Sequence, residues 1–211
     1  MIKLYGTPPT RALRVIWVLN ELGLEYESHP VDLLQGEAGR PPFRDLNPAA
    51  KVPVLVDGDV VLTESAAIQL YLADKHPEAG LIPETVEDRG QMYRWIFFLV
   101  TEIEQPLWRI ARHTFIYPED KRLPQDVDLA RQECRQMVAV LERHMEGREF
   151  MAGDRLSVAD LNAAYTLDWA NEAEMLGGAP RLREYLTTMY ARPTAPPTIA
   201  AAFAALGSQA G

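Results

Sequence analysis

The sequence predicts two domains of different class: a mixed α/β domain over residues 1–78 and an all-helical domain over 88–211, joined by a linker at 79–87. Three observations carry this. Short apolar runs bounded by turn residues occur only before Thr63, and apolar residues at helical spacing dominate from Met92 onward. Between them Pro77, Gly80 and Pro83 interrupt any regular element.

Ile2 to Tyr5 reads as a short strand ended by the rigid turn Gly6–Pro9. From Thr10, the residues Leu13, Ile16, Trp17, Leu19 and Leu22 fit a helix with one buried face, closed by Gly23. Glu25 to Val31 alternates as a second strand, and the polar, Gly- and Pro-bearing stretch Gln35–Pro42 is a loop before one turn of helix ending at Leu46. Val54–Val56 and Val60–Thr63 form a hairpin about Asp57-Gly58-Asp59, and Ser65 to His76 is helical. Strand–helix–strand followed by hairpin–helix is a mixed sheet covered by helices, the thioredoxin-like arrangement.

No strand pattern follows the linker. Met92, Ile96, Leu99, Ile103, Leu107 and Ile110 keep helical spacing, with a bend expected at Pro106. Val127, Ala130, Cys134, Met137, Leu141 and Met145 make a second stripe. Ser157-Val158-Ala159-Asp160 is a capping-box variant that opens a third helix through Trp169. Pro180–Arg192 and Thr198–Leu206 are shorter helices around a proline-rich hinge.

Composition narrows the function. With 211 residues, 47% apolar and 24% charged, the chain is long enough to bury a sizeable core. A net charge of −9 argues against a nucleic-acid binder, which needs clustered Lys and Arg. No apolar run has the length of a membrane span, and Met1–Tyr5 lacks a signal-peptide layout, so a cytoplasmic setting is expected. Cys134 stands alone, which excludes an internal disulfide, and it falls in an apolar stripe as an inert buried thiol. His29, His76, His113 and His144 are scattered without a carboxylate cluster, so no metal is expected.

One stretch carries chemistry. In Asn47-Pro48-Ala49-Ala50-Lys51-Val52-Pro53, a proline beside a strand leaves backbone groups of Val52 free for a ligand. Downstream, Glu64-Ser65 opens a helix whose first amides suit a carboxylate. Together they read as an extended clamp for a small peptide that carries a carboxylate.

These motifs resemble those of the cytosolic glutathione transferases, nearly end to end. Leu4-Tyr5-Gly6-Thr7-Pro8-Pro9-Thr10-Arg11-Ala12 with Arg14 is similar to the serine/threonine branch found among bacterial and fungal members. Asn47-Pro48, Lys51-Val52-Pro53, Leu62–Ile68 and Tyr71-Leu72 look like the family's glutathione site, with a cis Val52-Pro53 bond. Phe150–Gly153 and Ser157–Asp160 are similar to its helix-capping motif.

The resemblance implies an enzyme that activates the thiol of glutathione, its co-substrate, for attack on a hydrophobic electrophile. It also implies a homodimer. A free thiol near pKa ~8.5 is only about 3% ionised at pH 7, and a drop of two units takes roughly 2.7 kcal/mol. One hydrogen bond to a charged group supplies about 1.5–3 kcal/mol, and a helix N-terminus about 0.3–1. The hydroxyl donor is Thr10, Thr7 or Tyr5, working with the amides of Arg11 and Ala12. Arg11, Lys51, Val52, Pro53, Glu64 and Ser65 are the implied glutathione ligands, Lys51 at the glycine end and Glu64-Ser65 at the γ-glutamyl end. Gln35 and Arg40 are weaker candidates for the glycine end. Trp108, Arg112, His113 and Tyr117, with Phe115 and Ile116, are candidates for the electrophile pocket. Two alternatives stand beside this reading: a binding module of the same fold without catalysis, and a glutathione-dependent peroxidase.

Overall fold

The computed structural model describes residues 1–209. Its packing divides into two units, one of Met1–Ile82 with the residues from Arg192 onward, the other of Pro83–Ala191.

In the first unit, β1 (Ile2–Tyr5), α1 (Ala12–Glu21) and β2 (Tyr26–His29) are followed by α2 (Phe43–Leu46), β3 (Val54–Asp57), β4 (Val60–Thr63) and α3 (Ser65–Lys75). The sheet order is β2-β1-β3-β4. The α1 crossover makes β1 and β2 parallel, whereas β3 runs antiparallel to both β1 and β4. This is the expected thioredoxin-like arrangement. The second strand is shorter than the alternation from Glu25 to Val31 suggested, because Pro30 has no N–H to offer a ladder.

Side chains alternate across the sheet, so the cross-strand pair Leu4–Leu55 and its neighbour Tyr5–Val54 lie on opposite faces. The Tyr5 face packs Val31, Ala38, Phe43 and Val54 with Leu46, Ala50 and Val52 around them. Helices α1 and α3 pack against each other. Leu13, Val15, Trp17, Val18, Leu19, Ile68 and Leu72 are fully buried, each such side chain stabilising the fold by about 1.5–3 kcal/mol.

The second unit holds α4 (Val86–Phe98), α5 (Glu104–Ala111), α6 (Pro124–His144), α7 (Val158–Glu172) and α8 (Pro180–Tyr190). The expected bend at Pro106 takes the form of a π-helical turn, Leu99–Ile103, just before α5. Pro106 cannot donate to the Glu102 carbonyl one turn back, so the ladder widens there. A second π turn, Arg112–Ile116, ends α5.

Helix α7 is buried nearly all round from Val158 to Leu167, which marks it as the centre of this unit. Its N-terminus carries the expected capping box between Ser157 and Asp160. The Asp160 carboxylate accepts from Met151 N–H (2.7 Å), Ser157 N–H (2.9 Å), Ser157 Oγ (2.9 Å) and Tyr185 Oη (2.8 Å). Burial pushes this carboxyl up, while those donors pull in the opposite sense.

The sequence reading grouped 88–211 together, of which 210–211 lie outside the described residues. The packing instead returns the chain to the first unit from Arg192, ahead of α9 (Ile199–Gln209). The physical reason is Glu21, at the end of α1. Arg192 grips it through Nε (2.9 Å) and Nη2 (3.1 Å), and Thr194 Oγ1 donates to it at 2.5 Å. Burial raises the Glu21 carboxyl, but these donors outweigh it and hold the group below its ordinary range.

Candidate functional site

Three stretches of the first unit meet at Gly6. A Cβ there would stand 3.2 Å from Ala12 Cβ and 3.3 Å from Val52 Cβ, and the backbone adopts φ +143°, which L side chains rarely tolerate. The end of β1, the start of α1 and the residue before Pro53 therefore converge on a backbone with no side chain.

On the clamp side, Val52-Pro53 is cis. Asn47 is buried and folds the preceding loop: its Nδ2 donates to Lys51 O (2.7 Å) and its Oδ1 accepts from Ala49 N–H (3.1 Å). Within that loop Ala50 takes φ +55°. Among the described residues, the N–H and C=O of Val52 pair with no other backbone group. Lys51 is exposed beside them. Gln35 and Arg40 are exposed in the neighbouring loop, where Arg40 Nη2 donates to Gln35 O.

The three candidate hydroxyls differ in what already occupies them. Thr7 Oγ1 accepts from Val31 N–H (3.0 Å) and donates to Val31 O (3.4 Å), tying the β1–α1 turn to the segment after β2. Tyr5 stacks on the His29 ring with centroids 4.6 Å apart and tilts against Phe43. Thr10 Oγ1 accepts from Ala12 N–H (3.2 Å) and, among the described residues, donates to nothing. That bond removes Ala12 from the amides expected to face a ligand. It leaves the Thr10 proton available.

At the start of α3, Glu64 is exposed with φ +67° and ψ +107°, an unfavourable conformation for a residue other than glycine. Its side chain caps no amide, so the first N–H groups of the helix are left by it to other partners. Ser65 is buried, and its Oγ accepts from Arg14 Nη1 at 3.3 Å, which leaves its own O–H able to donate. Gln69, also buried, donates through Nε2 to Arg14 O (3.1 Å), so α1 and α3 are locked together beneath Ser65.

The proposed electrophile residues come together within the second unit. The Arg112 guanidinium lies 6.0 Å from the ring centroids of both Trp108 and Tyr117. His113 meets the Tyr117 ring edge-on at 5.2 Å, and Trp108 meets Trp169 edge-on at 6.1 Å. Phe115 and Ile116, in contrast, are exposed at 65% and 45% and lie outside these contacts. Cys134 is fully buried, and desolvation pushes its thiol up to about 12, which suppresses the nucleophilic thiolate. Among the described residues, no group of His, Cys, Asp and Glu stands close enough to hold a metal.

Sequence reasoning missed several groups that shape these sites. Asn47 stands in the motif, yet its role as brace of the loop shows only in the structure; an Asn before a proline is the available signal. Arg14 stands in the sequence only as part of the first motif. Its place on the buried stripe with Leu13, Trp17 and Val18 was the sign that it points inward. The ion pair of Arg109 with Asp126 and Glu133 left no local pattern, since its acids sit on α6.

Known proteins share this arrangement. A family model described as the glutathione S-transferase N-terminal domain matches residues 1–74, and one described as the glutathione S-transferase C-terminal domain matches 103–193. Glutathione S-transferase F9 of Arabidopsis thaliana is 34% identical over 166 residues, covering 76% of this chain and 77% of that one. Glutathione S-transferase 3 of Zea mays is 32% identical over 210 residues, covering 95% of this chain and 94% of its own. Among solved structures, glutathione transferase URE2P5 from Phanerochaete chrysosporium matches with a TM-score of 0.87 at 25% identity, covering 100% of this chain and 98% of that one. A sheet unit with an unpaired peptide edge, a helical unit behind it in the chain, and these matches lead to one conclusion: the chain belongs to the glutathione S-transferase family.

Proposed function

We propose that the first unit binds glutathione through residues 1–78 and activates its thiol for attack on an electrophilic small molecule. One observation carries the reading: Gly6 sits between the start of α1 and the residue whose backbone stays unpaired, Val52, so closely that a Cβ on it would crowd both. A cysteinyl unit hydrogen-bonded to Val52 in strand fashion then carries its sulfur toward the α1 start, with Pro53 shaping the turn. Thr10 donates a hydrogen bond to the thiolate, because Thr7 spends its proton on Val31 O and Tyr5 is packed against His29 and Phe43. This role matches the serine/threonine branch. Thr10 is neither base nor nucleophile; it makes the anion easier to form.

The remaining contacts follow from charge. Ser65 donates its O–H to the γ-glutamyl carboxylate, with Arg14 holding its oxygen, and the adjacent α3 amides add their dipole. Glu64 meets the γ-glutamyl amine, Lys51 the glycine carboxylate, and Arg11 adds positive charge beside the α1 start. Trp108, Arg112, His113 and Tyr117 receive the second substrate.

A homodimer in the cytoplasm completes the proposal. Its support is a stripe on α4, where Val86, Tyr93 and Phe97 are exposed at 70%, 38% and 65% and fall on one helix face, a surface suited to a second copy. Among the described residues, no helix is long and apolar enough to cross a membrane.

Calorimetric titration of glutathione into the wild type and Ser65→Ala tests the site. Saturable binding weakened about tenfold by the substitution is expected, since one hydrogen bond to a charged group is lost. Equal affinity in the two proteins removes Ser65 from the site. No heat of binding at millimolar glutathione leaves the non-catalytic module as the better reading.

A further inference from the structure

We propose that Arg112 makes this protein selective for second substrates that carry an anionic group, a carboxylate held against an aromatic ring above all. The inference rests on the transferase reading and adds the chemical class of the electrophile.

The observation is a guanidinium that, among the described residues, hydrogen-bonds to no carboxylate and meets Asp126 only as a through-space charge. Arg112 opens the π turn Arg112–Ile116. Trp108 and Tyr117 each present a ring 6.0 Å from it, and its Nη1 reaches Tyr117 Oη at 3.5 Å. Its Nε is buried and, among the described residues, has no hydrogen-bond partner.

The acids nearby are already committed. Asp126 is held by Arg109 through Nε (3.1 Å) and Nη2 (2.5 Å), with His113 Nε2 at 3.4 Å. Glu133 pairs with Arg109 as well. Arg122 adds another cation alongside, its Nε donating to Tyr117 O at 2.8 Å.

Partial burial of a cation that no anion hydrogen-bonds directly is unfavourable, and that cost is recovered when a ligand supplies the direct partner. Arg offers coplanar donors that match a carboxylate, whereas the two rings suit a flat apolar body. The side chain keeps partial solvent access, so an incoming group can reach its terminal amines. An aryl or vinyl carboxylate combines both features.

The test compares two aryl chlorides that undergo the same substitution, their different intrinsic rates cancelling when variants are compared by ratio. With 4-chloro-3,5-dinitrobenzoate or 1-chloro-2,4-dinitrobenzene, the glutathione sulfur forms a C–S bond as the C–Cl bond breaks. Chloride leaves with the bonding pair, the thiol proton passes to solvent, and nothing is oxidised or reduced. The ratio of kcat/KM values, anionic over neutral, is measured for the wild type, Arg112→Gln and Arg112→Lys. It is expected to fall about tenfold in Arg112→Gln and to recover largely in Arg112→Lys. An unchanged ratio in a folded Arg112→Gln protein overturns the proposal.

Two further measurements keep the outcome decisive. Should neither chloride be turned over, the transferase reading fails by itself; calorimetric binding of 4-chloro-3,5-dinitrobenzoate to wild type and Arg112→Gln then decides, weaker binding by the variant upholding the anion site and equal or absent binding overturning it. Should Arg112→Gln not fold, benzoate and benzamide are compared as ligands of the wild type. Tighter benzoate binding upholds the proposal, and equal binding sinks it.

Discussion

The helix starts of α7 on one side, and of α1 and α3 on the other, use the same residue chemistry to opposite ends. At α7, the hydroxyl of Ser157 and the carboxylate of Asp160 close on each other, on Met151 N–H and on Tyr185, all of them buried. At α1, Thr10 accepts one amide and keeps its proton, and at α3 the side chain of Glu64 caps nothing. The first arrangement is complete without a ligand; the second is not. A hydroxyl at a helix N-terminus therefore says little about function until its hydrogen bonds have been counted.

The sharpest way to break the closed start is Asp160→Ala. It strands several buried donors at once, and a loss of roughly 3 kcal/mol or more is expected. Urea unfolding is the measurement. A change under about 1 kcal/mol would show that Tyr185 and Ser157 find other partners.

The open start responds differently. Thr10→Val removes both the cap and the hydrogen-bond donor while keeping the branched shape. Stability should fall by about 1 kcal/mol, and the pKa of bound glutathione, followed by thiolate absorbance, should rise by about one unit or more. Thr10→Ser should restore both. A thiolate pKa that stays put while stability drops would reduce Thr10 to a cap.

The smallest effect sharpens the contrast most. Glu64→Gly places glycine at φ +67°, so the folded chain should gain up to about 1 kcal/mol in urea unfolding while losing glutathione affinity. Stability bought at the expense of binding is the signature of a residue retained for its ligand. A protein that is less stable and binds as before would contradict that assignment.

The fold was legible because its punctuation is local. Asp57-Gly58 marks the hairpin, Gly23 ends α1 and Ser157-x-x-Asp160 opens α7, each a property of neighbouring residues. Pro30 was visible too, yet the alternation from Glu25 to Val31 drew the strand past it. The π turn before Pro106 was beyond reach, since a bend and a widened turn answer the same missing N–H.

Within the site, residue types were readable and their prior engagements were not. Thr7 and Thr10 look alike in sequence; Ala12 is a local partner of Thr10, but only the fold puts Val31 against Thr7. Arg112 and Arg109 are one helical turn apart, and the acids that distinguish them arrive from α6.

The grip of Arg192 and Thr194 on Glu21 bears on how the protein is made. During synthesis the sheet emerges well before Arg192 and Thr194, so Glu21 must wait for side chains 171 and 173 residues further along the chain. Until the ribosome has released them, that carboxylate stays hydrated and the end of α1 lacks its last anchor. The opening unit is thus finished by residues made long after its own strands and helices.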